Sequence, residues 1–406
     1  ALLAQSQTAP LDMMAFLQYT SGSTSDPKGV MVTHACLMAN EAAIRALMAI
    51  TAADRFAVWS PLFHDMGLIG GLLQPFYSGI PCVLCSPDHF TASPVRWLRL
   101  ISQHRVTVSG GPDFAYRLCI DRVRESQCDG LDLSCWRVAY TGAEPIRPDT
   151  MQTFVDRFGR CGFAARAVYP CYGLAEGTLM VTGVPPGHGM HTVTFSETAL
   201  ARGQVLPEGD GVALVACGQA AAGHAVRIVD PGTGQMAAPN RVGEIWASGP
   251  SMAAGYWQNA PATADAFVTD DDGVRWLRTG DLVRQEDDGF YVIADRRKEL
   301  IISGGFNVYP TEVEAAVRSM PQVEDVAVVG LPAESGNESV VAAILPKEGQ
   351  TVTLEQVREW AEKTLSHYAL PRQVSIVSEL PRSQIGKVLR RVVREELLAA
   401  REAATA

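Results

Sequence analysis

Between residue 57 and about residue 180, short apolar runs alternate with helix-length segments, which restricts this part of the chain to strand–helix units around a parallel sheet. PCVLCSP (81–87) reads as a strand and SPVRWLRLISQH (93–104) as a helix, followed by the strand-like VTVSGG (106–111). WRVAYTG (136–142), a helix from Pro148 to about Phe158 and ARAVYPCYG (165–173) continue the series. Several of these strands run straight into small or glycine residues. In open α/β sheets, ligands sit at such carboxyl ends.

From about 185 the texture changes to short strands with Gly, Pro and Asp turns, clearest in AVRIVDPGTGQ, GEIWASGP, GVRWLRTGD and DGFYVIADR. A third unit follows Asp295–Lys298. Thr311 and Glu314 read as a capping box behind Pro310, opening a helix with apolar Val313, Ala316, Val317 and Met320. Strands at 325–330 and 339–346, a helix over 354–365, a strand VSIVSEL and a basic helix from about 387 complete a compact α+β unit. The expected division is therefore 1–184, 185–294 and 295–406.

The net charge of -10 argues against nucleic-acid binding, which requires a basic face. The nine cysteines form no disulfide-type framework, and Cys82 and Cys85 (a lone CxxC) read as part of a buried strand. Reduced thiols point to the cytoplasm. No apolar run reaches transmembrane length and no signal peptide is visible, so no transmembrane segment is expected.

The chemistry begins at YTSGSTSDPKG, from Tyr19 to Gly29. Small residues let backbone N–H groups approach a polyphosphate, hydroxyls at Thr20, Ser21, Ser23 and Thr24 flank Gly22, and Lys28 supplies charge. It is not the Walker pattern, because no GK[ST] follows. Alone, such a Ser/Gly/Thr stretch is more often a flexible linker. MMAFLQY before it and GVMVTH after it suggest a loop between two buried strands.

Here the sequence resembles the adenylate-forming (AMP-binding) superfamily. The resemblance runs from about residue 13 to 396, with the motifs in the family's order. GAEP (Gly142, Ala143, Glu144, Pro145) and YGLAE (Tyr172, Gly173, Leu174, Ala175, Glu176) look like adenine-binding segments. WLRTGD, ending at Asp281, matches the ribose-binding motif, DRRKELIISGGFNVYPTEVE (295–314) the interdomain hinge, and LPRSQIGKVLRR (380–391) the C-terminal lysine motif. The resemblance implies an α/β adenylate-forming fold: a large N-terminal domain, a β-rich subdomain and a small mobile α+β C-terminal domain. Family members carry a longer N-terminal lobe, so this one is expected to be truncated.

It further implies roles. Tyr172 would offer an aromatic face to the purine, and Asp281 would accept the ribose hydroxyls. Glu176 and Thr20 would present oxygens to Mg²⁺. Arg296 resembles a second nucleotide contact. Lys298 sits at the pivot, where a plain surface lysine is the alternative. Lys387 would bridge the carboxylate and the α-phosphate of ATP as charge builds in the transition state. Ser25 replaces the glycine usual in the phosphate loop and would strain a turn needing positive φ.

Three stretches resemble fatty acyl-AMP ligases in particular: SPLFHDMGLIGGLLQPFYSG (60–79), TVSGGPDFAYRLC (107–119) and AVYPCYGLAEGTL (167–179). His64 and Asp65 lie where that family lines its acyl and nucleotide pockets, with His64 a catalytic candidate and a structural His–Asp pair the alternative. Residues 191–218 resemble that branch's insertion, whereas the C-terminal third looks closer to acyl-CoA ligases. The expectation is ATP-dependent activation of a medium- or long-chain fatty acid to its adenylate, for transfer to acyl carrier protein. Alternatives are a fatty acyl-CoA ligase with CoA as acceptor and a non-catalytic acyl or nucleotide binder. Arg382, Arg390, Arg391 and Arg394 would offer an acidic carrier a basic surface.

Overall fold

The computed structural model describes residues 9–20, 27–195, 212–238, 241–285, 291–296, 299–303, 306–333, 338–382 and 387–405. The alternating apolar runs form one seven-stranded sheet. Its parallel part follows the order Cys82–Leu84, Phe56–Val58, Val108–Gly110, Val138–Thr141 and Val168–Gly173. Met180–Gly183 and Gln219–Ala220 extend it antiparallel. Every residue of Val138–Thr141 is buried, as a strand covered on both faces requires.

One face carries the helices Val95–His104, Asp113–Arg122 and Pro148–Phe158, whose Leu98, Ile101, Tyr116, Met151 and Phe154 pack with Trp136 in a single core. The rings of Trp97 and Trp136 meet edge to face at 5.1 Å. The Trp97 indole donates to Ser109 Oγ at 2.8 Å, so its polar handle is satisfied.

The helix His34–Leu47 and a π-helical turn, Leu68–Leu73, cover the opposite face. Glycine makes the close approach of this turn possible. A Cβ on Gly71 would stand 2.6 Å from Val58 Cγ1, and one on Gly67 only 2.2 Å from the Pro61 carbonyl. Below the sheet, Arg137 donates two 2.8 Å bonds to Asp54 and reaches the Met48 and Ala49 carbonyls. Burial alone would raise the Asp54 carboxyl, but bonds from Arg137, Thr107 and Thr51 bring it down to about 2.

The strands flanking the Tyr19–Gly29 loop are present as Met14–Tyr19 and Gly29–Thr33, paired antiparallel, although the first is half-exposed rather than buried. A five-stranded antiparallel sheet follows, built from Ala225–Val229, Gly243–Ser248, Arg275–Gln285, Phe267–Thr269 and Tyr291–Arg296.

Toward the C-terminus, Val323–Pro332 pairs with Glu338–Pro346, which pairs in parallel with Gln373–Ile376. Strand alternation separates two cores here. Val326 and Val328 face the helices Pro310–Arg318 and Leu354–Ala361, whereas Ala327, Val329 and Leu331 face Val393 and Leu397 of Arg390–Thr405.

Three details differ from expectation. Thr311 is not a cap: Pro310 occupies the first helical turn, Tyr309 is the N-cap, and no side chain caps it. The helix expected to reach 365 ends at Ala361, where Thr364 N bonds back to Ala361 O and tightens the chain into a turn. Of the four arginines expected to form a basic surface, only Arg390 is turned inward; Arg382, Arg391 and Arg394 stay well exposed, though each is engaged by a neighbour. Arg390 forks onto Glu314 and also pairs with Glu299; Arg382 pairs with Asp325, Arg394 donates to Gly330 O, and Arg391 pairs with Glu395 along the helix. Among the described residues, no helix is long and apolar enough to cross a membrane.

Candidate active site

A cavity of about 910 Å³ opens at the carboxyl ends of the parallel strands, within the size range of small-molecule sites. Part of its wall is apolar: Ile44 and Met48 from the covering helix, Leu68 and Gly70 from the π-helical turn, Leu179 and Met180 from beyond strand Val168–Gly173. The rest is polar, with Thr20, Lys28, Glu176, Glu244, Asp265 and Arg278. His64 and Lys387 line the same cavity.

The backbone around the GAEP and YGLAE segments is forced into unusual forms. Ala143 has φ 66° and Thr178 φ 71°, conformations costing a non-glycine residue about 1–2 kcal/mol. A Cβ on Gly173 would stand 1.8 Å from Leu179 O, so only glycine fits where the strand turns back on itself. Ala143 faces the cavity, while Gly142 lies against the Cys171 carbonyl. The Glu144 carboxylate turns to the Phe114 amide, accepting at 2.7 Å. Burial first, and Asp113 second, push it up to about 7.

Tyr172, Gly173, Leu174, Ala175 and Glu176 all line the cavity. The Tyr172 hydroxyl donates to Asp281 Oδ2 at 2.6 Å, joining the two motifs across separate sheets. Asp281 is buried behind Gly280, its N–H bonded to Thr279 Oγ1, while Gly280 N donates to Glu244 Oε1 at 3.0 Å. Arg296 is placed by its backbone, which pairs with Asp281.

Thr20 and Lys28 close the base of the loop between the hairpin strands: Thr20 N donates to Lys28 O at 3.0 Å, and Lys28 N to Thr20 Oγ1 at 3.1 Å. Ser21, Gly22, Ser23, Thr24, Ser25 and Lys298 lie outside the described residues. His64 Nδ1 stands 2.7 Å from Asp65 Oδ1. Burial pulls the imidazole down, but the Asp65 carboxylate more than reverses this and holds it above its usual value, with Lys387 opposing.

Lys387 arrives from the C-terminal unit on a braced segment. Val388 bridges to Arg382, Leu389 N donates to Pro381 O at 2.9 Å, and Arg390 is held by Glu314 and Glu299. Sequence reasoning missed Tyr256, whose hydroxyl donates to Glu176 Oε1 at 2.6 Å, and Glu244. Neither carries a local signal, because each is defined by a partner distant in sequence.

Residues 3–257 match the AMP-binding enzyme family and residues 312–387 the AMP-binding enzyme C-terminal domain. The chain is 40% identical over 364 residues to the medium-chain-fatty-acid–[acyl-carrier-protein] ligase JamA of Moorena producens, covering 87% of this chain and 60% of that protein. It is 37% identical over 349 residues to a long-chain-fatty-acid–AMP ligase of Mycobacterium tuberculosis, covering 82% of this chain and 59% of the relative. The chain thus spans less than two thirds of the length of these curated relatives. Among solved structures, the fatty acyl-adenylate ligase of L. pneumophila in complex with acyl adenylate and pyrophosphate aligns with a TM-score of 0.71 at 32% identity, over 97% of this chain and 71% of that one. A structure from a study of such ligases from E. coli and L. pneumophila reaches a TM-score of 0.86 at 32% identity, over 96% and 70%. With its cavity at the strand ends and its motifs in order around it, the chain has the adenylate-forming fold and belongs to the AMP-binding enzyme family.

Proposed function

We propose that this chain activates a medium- or long-chain fatty acid as its acyl adenylate, releasing PPi, and passes the acyl group to the phosphopantetheine thiol of an acyl carrier protein. The observation that carries the reading is Lys387: a lysine from the C-terminal unit enters a cavity that has both an apolar and a polar wall. The names of the relatives, which include a fatty-acid–carrier-protein ligase, support the substrate and the acceptor.

In this reading the acyl chain lies along Ile44, Met48 and Leu68, excluding water. The Tyr172 ring faces adenine, Asp281 accepts from the ribose, and Lys28 meets the phosphates. Ala143 helps shape the adenine wall, and His64 lies near the carboxylate. A carboxylate oxygen attacks the α-phosphorus, and the bond from that phosphorus to the bridging oxygen of PPi breaks. Lys387 lowers the repulsion between the two anions and stabilises the charge on the non-bridging oxygens.

Glu176 and Thr20 fit Mg²⁺, a hard cation that takes one or two protein oxygens beside nucleotide phosphates. Among the described residues no cluster of three acidic, His or Cys side chains forms a dedicated metal cage, in keeping with that mode. When bound, the ion would neutralise phosphate charge. Nine free thiols suit a reducing compartment, the cytoplasm.

The test supplies ATP, Mg²⁺ and a panel of fatty acids with either holo carrier protein or CoA. Carboxylate-dependent PPi release with the thioester on the carrier is expected. Efficient acyl-CoA formation would transfer the reading to the CoA ligases, and binding without PPi release would reduce the chain to a non-catalytic binder.

A further inference from the structure

Glu176 and Lys28 are opposite charges lining one cavity, yet among the described residues they do not pair with each other. Tyr256 stands between them. Its hydroxyl donates to Glu176 Oε1 at 2.6 Å, and the Lys28 ammonium lies over its ring, 4.8 Å from the centroid. The ring is fixed from behind. Val30 bridges to Tyr256, Trp257 N donates to Gly29 O at 2.7 Å, and Met31 N to Gly255 O at 2.8 Å. Tyr256 N also donates to Thr263 Oγ1 at 2.9 Å, and the residue is 6% exposed.

A ring held in this way does two things. The cation–π contact gives the ammonium a neutral seat, keeping it off the carboxylate. The hydroxyl occupies one oxygen of Glu176 and fixes the plane of the carboxyl group, so the second oxygen has a set direction. Partners of this kind, one step removed from a metal ligand, commonly change metal affinity by about 10–100-fold when removed.

We propose that Tyr256 is a positioning residue for the Mg–nucleotide complex: it orients Glu176 toward the cation and keeps Lys28 available to the phosphates. The inference rests on the reading of Glu176 as a magnesium-side carboxylate and goes beyond it by assigning the residue that makes the site competent.

The test is calorimetric titration of ATP into the protein over a series of Mg²⁺ concentrations, without fatty acid, for the parent, Tyr256→Phe, Glu176→Gln and the double variant. Tyr256→Phe keeps the ring and its seat for Lys28. It should need about tenfold more Mg²⁺ to reach half of the magnesium-dependent gain in ATP affinity. Its ATP affinity without Mg²⁺ should match the parent's. Glu176→Gln should abolish most of that gain, and adding Tyr256→Phe should change little more, because the two act as one unit. An unchanged magnesium midpoint in Tyr256→Phe would overturn the proposal, as would an equal loss of ATP affinity with and without Mg²⁺, which marks a packing role. A parent that binds ATP with no response to Mg²⁺ overturns the metal-side assignment of Glu176 together with this inference. A parent that does not bind ATP overturns the nucleotide reading itself.

Discussion

The body of the molecule and its C-terminal unit contribute to the cavity in opposite ways. The body supplies nearly the whole wall, held by bonds within the body: Tyr172 to Asp281, Tyr256 to Glu176, Gly280 to Glu244. The C-terminal unit contributes Lys387 and Leu389, on a segment braced by ion pairs within that unit. In the proposed reading, binding is built into one region and the reactive charge is delivered by the other. The difference implies that affinity and chemistry should separate under mutation.

The largest separation is expected at Lys387. Lys387→Ala should leave ATP affinity near the parent value while lowering carboxylate-dependent PPi release by about 10²–10³ or more, the range for removing one transition-state donor. Calorimetry and a PPi assay on the same preparation read both quantities. A parallel fall in the two would erase the division between regions.

Asp281→Ala should do the reverse and weaken ATP at least about tenfold, since each charge-assisted bond to ribose contributes about 1.5–3 kcal/mol. It also leaves the Tyr172 hydroxyl without its acceptor. An ATP affinity equal to the parent's would remove Asp281 from the nucleotide wall.

The third expectation concerns the body alone. Arg137→Ala leaves the buried Asp54 carboxylate without its guanidinium and should cost about 2–3 kcal/mol, below the figure for a fully buried pair because Arg137 is one-third exposed. Asp54 has a lowered folded pKa. Its contribution is present above the ordinary value of 3.8 and disappears as pH falls through about 2. Acid unfolding of Arg137→Ala should therefore begin at higher pH than in the parent, followed by far-UV circular dichroism. Coincident acid transitions would show that the pair does little for the body.

The two regions were also unequally legible in the sequence. The parallel sheet could be read because its inner strands are buried on both faces and appear as continuous apolar runs; the strand with Cys82, expected to be buried, is a half-exposed edge on which Leu84 faces solvent. Tyr172, Glu176, Asp281 and Lys387 stand out only through the resemblance of their motifs to the adenylate-forming family; the fold brings Tyr172, Glu176 and Lys387 to one cavity, with Asp281 bonded to Tyr172. What escaped was set by long-range geometry. Tyr256 meets Glu176 across 80 positions, and nothing near either residue announces the other. Glu144 belongs to a readable motif, but the direction of its carboxylate depends on the Phe114 amide. In the C-terminal unit, Thr311 matched a capping pattern that Pro310 displaced by taking the first turn. The pairing of Arg382 and Arg390 could not be read because their acidic partners, Asp325, Glu314 and Glu299, lie far away in the chain.

The most direct test of the account is a mass-spectrometric measurement of products after a brief incubation of the parent with ATP, Mg²⁺ and a saturated medium-chain fatty acid. If one cavity holds both reactants and Lys387 joins them, acyl-AMP and PPi appear in equal amounts, and Lys387→Ala yields neither. Binding of both reactants without acyl-AMP, or production of ADP and phosphate in its place, would contradict it.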